Sequence, residues 1–116
     1  MSTEYIGEKI FLNEIETGTE VWVAKSIHNS IHAMELDRTG FSLPVWSSRE
    51  RVEGYLKNAR LIGPEYKPHA VPLDVFTNAW LSDKARGITE LQINPDGKST
   101  RVLALTPEEF QASQSD

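Results

Sequence analysis

The chain contains no cysteine in 116 residues, so disulfide frameworks, thiol nucleophiles, thiolate zinc sites and iron–sulfur clusters are excluded together. Positive charge is also scarce: 12 Lys and Arg face 17 Asp and Glu, a formal net charge of -5. Such a field repels phosphate backbones and anionic lipid, so neither nucleic acid nor a membrane is an expected partner. No apolar run approaches the roughly 18 residues that span a bilayer, and the polar start MSTEYIGEK lacks the basic and apolar regions of a signal peptide. A cytoplasmic protein is the expectation. Clustered glycine is missing as well. Gly54, Gly63 and Gly97 stand alone, with no G-x-G-x-x-G or Walker-type loop, so nucleotide chemistry has no support and no cofactor is implied. There is no internal repeat.

What is present is ordinary globular usage, 39% hydrophobic and 25% charged, in a length that holds one core. The expected unit is a single domain over residues 1–110 with a frayed tail at 111–116. Ile6, Ile10, Phe11 and Ile15 recur at helical spacing over 3–16, and Gly18 is placed to stop that helix in the left-handed conformation. Val21 to Ala24 favour a strand. The polar break His28-Asn29-Ser30 then predicts a hairpin into residues 31–36, and a second turn at 37–40 leads to a third strand at 41–46. Pro44 cannot donate to a ladder, so that strand is expected at an edge or bulged.

Ser47-Ser48-Arg49-Glu50 has the S-x-x-E form of a capping box, which assigns Ser47 as the N-cap of a helix whose apolar face is Val52, Tyr55 and Leu56. Residues 59–69 read as a short apolar piece followed by a loop framed by Pro64 and Pro68. Leu73, Phe76, Ala79 and Trp80 share a helical face that Gly87 ends, with Lys84 and Arg86 in its last turn. Asn94-Pro95-Asp96-Gly97-Lys98 is a turn signal joining strands 88–93 and 102–105. Thr106-Pro107-Glu108-Glu109 combines an N-cap, a first-turn proline and a capping-box glutamate. The order predicts an α+β fold, a mainly antiparallel sheet with helices packed on one face.

Three of these segments together resemble a known family. Thr19-Glu20-Val21-Trp22, Leu43-Pro44-Val45-Trp46 with Glu50, and Val71-Pro72-Leu73-Asp74-Val75-Phe76 followed by Trp80-Leu81 resemble the bacterial domain-of-unknown-function family 2750, over about Lys9 to Phe110. Ser82-Asp83-Lys84 and Leu61 depart from its pattern. The resemblance implies a compact α+β bacterial domain and brings no catalytic residues.

Candidate chemistry competes throughout with structural roles. His28 and His32 are four apart, metal-ligand spacing on a helix, but their segment reads as extended. His69 would be the third ligand. Ser47 lies between a strand and a helix without a G-x-S-x-G elbow, and capping accounts for it. Glu35 with Asp37 and Glu50 with Glu53 are the nearest carboxylate pairs, and both read as solvated surface. The tryptophans differ in setting: Trp22 and Trp80 lie in apolar patterns and read as core, whereas Trp46 ends a proline-containing strand beside the charged helix start, where it either covers the sheet edge or anchors a partner with Arg49.

The reading is a non-catalytic intracellular protein-binding module, regulatory or immunity-like. Its candidate contacts are Trp46 and Arg49, and its acidic surface favours another bacterial protein with a basic surface. The alternative is a small enzyme or a small-ligand or metal binder with a pocket near His28, His32, Glu35 and His69.

Overall fold

A computed structural model describes residues 3–36, 40–59, 63–81, 87–98 and 102–114. The expected turn at 37–39, the position of Leu61, the Ser82-Asp83-Lys84 departure, Lys84 and Arg86 and the end of the tail lie outside the described residues. The order is α1 (Thr3–Gly18), β1 (Glu20–Ser26), β2 (Met34–Leu36), β3 (Gly40–Val45), α2 (Arg49–Asn58), a 3₁₀ turn (Gly63–Glu65), β4 (Tyr66–Pro72), α3 (Leu73–Val75, continuing as a wider π turn over Phe76–Trp80), β5 (Ile88–Ile93), β6 (Leu103–Leu105) and α4 (Pro107–Gln114). This is the expected α+β class. No helix among the described residues is long and apolar enough to cross a membrane.

The strands form two sheets, β1-β4 and β2-β3-β5-β6, antiparallel except for the central β3-β5 pair. β1 therefore does not pair with β2 as the hairpin reading held. It runs in full register with β4, from Glu20↔Pro72 to Ser26↔Tyr66. Of the expected hairpin there remain the bridge Lys25↔Ile31 and its two backbone bonds, from His32 N–H to Ala24 O and from Ser26 N–H to Ser30 O. Asn29 takes positive φ there, and the Ser26 hydroxyl accepts from the amides of His28 and Ser30. The chain then leaves β1: β4 occupies one edge of that strand, and on the other edge Trp46 takes the bonds of Trp22, where the hairpin would have continued.

Where the sequence predicts a loop around Pro64 and Pro68 the chain enters β4, and the register explains why the prolines of that strand are tolerated. Leu73 N–H bonds Thr19 O and Ile27 N–H bonds Glu65 O, so odd-numbered residues of β4 face β1. Pro68 and Pro72 therefore turn their missing donors outward, along an edge that they blunt against further pairing. Pro44 is accommodated similarly. β2 ends at Met34↔Ser42, so Pro44 lies past it, on the side of β3 where no ladder bond is lost. The register irregularity falls between Phe41 and Ser42, not at the proline. Two residues past Pro44, Trp46 and Trp22 exchange both backbone bonds at 2.8 Å, which joins the two sheets.

Alternation along β1 divides the interior. Val21 and Val23 enter a main core with Phe11, Ile15, Leu43, Val45, Phe76, Leu91, Ile93 and Phe110, whereas Ala24 and half-buried Trp22 face a second cluster of Trp46, Val52, Tyr55 and Leu56. Helices α1, α3 and α4 supply the first, and α2 covers the second. Aromatic rings of Phe11 and Phe76 meet Phe110 edge-on at 6.3 and 5.4 Å, geometry that favours the ring quadrupoles.

Three boundaries differ from expectation. The stop of α1 is Thr19 at φ 56, whose N–H closes on Ile15 O, and Gly18 stays in the helix. The N-cap of α2 is Ser48, whose hydroxyl accepts from the Arg51 amide at 3.3 Å. Helix α4 runs on to Gln114 where a frayed tail was expected, and Gln111 ties it to Thr77 O. Its predicted capping box is present, with Thr106 N–H on Glu109 Oε1 and Glu109 N–H on Thr106 Oγ1.

Candidate functional site

The flank of α2 that borders the second core at Leu56 builds a trough with the chain that follows. Arg49, Glu53, Leu56 and Lys57 recur at spacings of four and three, so they lie along one stripe of the helix. The 3₁₀ turn folds back onto that stripe because Gly63 allows it: a Cβ there would stand 2.2 Å from Leu56 O. Tyr66, Lys67 and Pro68 of β4 form the opposite wall. The result is an open groove of about 700 Å³ whose lining is Leu56, Tyr66, Pro64 and Pro68 among Arg49, Lys57, Lys67 and Glu53. Arg49 and Glu53 approach only to 3.9 Å, with side chains 64% and 55% exposed, so the guanidinium is held loosely.

Beneath this groove lies an aromatic stack. The Tyr66 ring meets His32 edge-on at 5.4 Å, His32 Nε2 shares a 3.2 Å hydrogen bond with the Tyr55 hydroxyl, and Tyr55 packs on Trp46 at 5.1 Å. Burial lowers the His32 pKa and raises that of Tyr55, so both are held neutral. Trp46 is 0% exposed and its indole N–H donates to Pro95 O at 2.8 Å. The expected contact role of Trp46 is therefore corrected. Its ring supports the groove wall through Tyr55 and has no surface to offer a partner.

Ser47 occupies a polar knot between α1, α2 and the end of β5. Its hydroxyl donates to Glu14 and accepts from Asn94 Nδ2 at 3.1 Å, while its amide donates to Asn94 Oδ1 at 2.9 Å. Arg51 grips the same carboxylate with Nε at 2.8 Å and a second nitrogen at 3.1 Å. The Arg51 hydrogen bonds, aided by Ser47 and opposed by partial burial, hold Glu14 below the usual carboxylate range. A carboxylate so stabilised is a weak base, so the knot fastens the fold and does not activate Ser47 as a nucleophile. Sequence reasoning missed it because Glu14 and Asn94 are far from Ser47 along the chain.

The histidines do not gather. His32 sits on the α2 side with Tyr66, whereas His69 is odd-numbered in β4 and pairs with Val23 on the opposite face of the ribbon. His28 is exposed in the turn and Glu35 is exposed in β2. Among the described residues there is no group of three or more His, Asp or Glu that could hold a metal ion. The pocket expected from His28, His32, Glu35 and His69 is thus not formed.

With this geometry in place, comparison with known proteins is informative about ancestry. A family model described as "Protein of unknown function (DUF2750)" matches residues 9–113. The chain belongs to that family. The groove, the aromatic stack and the polar knot all fall within the span matched to DUF2750. No curated protein matches. Among solved structures the chain is similar in fold to Anabaena Tic22 (protein transport), with a TM-score of 0.51 and 14% identity over 80% of this chain and 46% of that one. The chain therefore spans about half the length of this neighbour, and the likeness is one of fold.

Proposed function

We propose that this DUF2750 member is a non-catalytic, intracellular protein-binding module, regulatory or immunity-like, whose contact surface is the groove between α2 and β4. The observation that carries this reading is the groove itself: apolar side chains from two elements form its floor, exposed cations rim it, and a buried aromatic stack fixes its wall. Such a trough presents desolvatable area at the centre and polar groups at the rim, the anatomy of a protein contact. In this reading Arg49, exposed on the groove rim, is a proposed contact residue. Ser47 and Glu14, by contrast, are engaged in the knot that joins α1 to α2.

Photo-crosslinking in a producing cell tests this. A benzophenone amino acid at Lys57 or Pro68 should give a discrete adduct with another protein, and the same group at Glu108 on α4 should not. Equal adduct patterns from all three positions, or none from the groove, would remove the groove as contact surface.

A further inference from the structure

The sign of the groove is opposite to that of the molecule. Two cations of α2, Arg49 and Lys57, line it against one carboxylate, Glu53, with Lys67 at the margin on the strand, while the whole chain carries -5. At physiological ionic strength charges are screened beyond about 8 Å, so a segment lying in the groove feels its cations and not the distant acidic surface. Glu53 is partly offset by Arg49 at 3.9 Å, and Lys57 and Lys67 have no ion pair among the described residues. The contact chemistry is therefore the reverse of the basic partner that whole-chain charge favours.

Dimensions limit the occupant further. Arg49 and Lys57 are eight residues apart on α2, a rise of about 12 Å, which an extended chain covers in about four residues. The floor between them is apolar, from Leu56 and Tyr66 to Pro64 and Pro68. The adjacent edge of β4 offers few donors because Pro68 and Pro72 face outward, so side chains rather than strand pairing must hold the occupant. We propose that the groove binds a short extended segment of another protein in which acidic residues flank apolar ones, its carboxylates reaching Arg49 and Lys57 and its apolar side chains lying on Leu56 and Tyr66. This rests on the groove being the contact surface.

The test is a titration of the ¹⁵N-labelled full chain with the capped pentapeptide Glu-Leu-Glu-Leu-Glu, with Lys-Leu-Lys-Leu-Lys as its charge-reversed control, followed in amide spectra. The acidic peptide should shift Arg49, Glu53, Lys57 and Tyr66. The exposed double variant R49E/K57E, checked for an unchanged melting temperature, should weaken binding at least about tenfold. Equal shifts from the lysine peptide would overturn the acidic specificity and leave the groove reading standing. Shifts confined to residues elsewhere, or none from either peptide, would overturn both. Matching shifts from inorganic phosphate, or from anionic phosphatidylglycerol vesicles, at equal charge concentration would replace the protein segment with a simple anion or a lipid surface.

Discussion

Ser47 and Ser48 are adjacent and chemically identical, yet the fold uses them for different tasks. Ser48 is a half-exposed cap, and Ser48→Ala should cost about 1 kcal/mol. Ser47 is 6% exposed and its hydroxyl links Glu14 to Asn94, so Ser47→Ala removes a hydrogen bond to a carboxylate and one from an amide and should cost about 1–3 kcal/mol in urea denaturation. The S-x-x-E pattern led to the wrong serine because it reports only local bonding, and the partner that claims Ser47 is 33 residues upstream. His32 gives a pH signature. Burial depresses its folded pKa below the ordinary 6.5, so the unfolded chain binds the proton more readily and stability, complete above pH 6.5, falls as pH drops through the folded value. Glu14, also depressed by Arg51, adds a second loss at lower pH, below the carboxylate value of 4.5. His32→Phe should flatten the first limb and leave the second, as read from thermal melts across pH.

At the level of elements, amphipathic helices and capped starts were legible because their signals are local: Phe11 and Ile15 on α1, Val52, Tyr55 and Leu56 on α2, and the Thr106–Glu109 box on α4 all read directly from spacing. Strand partnership was not, since β4 declares itself only through its register with β1 and its prolines argue locally against it. The groove shares that fate, with one wall on a readable helix and the other on the unread strand. Two element-level predictions follow from contacts. Phe110→Ala removes the ring that joins Phe11 and Phe76 and should cost about 3–5 kcal/mol, undocking α4. Gly40→Ala should destabilise by more than about 1 kcal/mol, because φ is 112 and a Cβ would stand 2.4 Å from Gly87 O, against which the start of β3 is hydrogen-bonded. Chemical denaturation of each variant measures both.

Across the whole molecule, the class and the resemblance to the family were readable, and the sheet arrangement was not, because a parallel β3-β5 pair spans some fifty residues and leaves no mark on either strand alone. The tryptophans show the same limit. Trp22 and Trp46 touch through their backbones across the sheet junction, a relation that apolar patterning cannot express. β1 stands at that junction, with one set of side chains in each interior, so neither half can melt while the other persists. Amide hydrogen exchange should therefore proceed from β1 only through global unfolding, with the slowest rates in the chain at Val21 and Val23, and the groove would be lost in the same cooperative step as the distant α4.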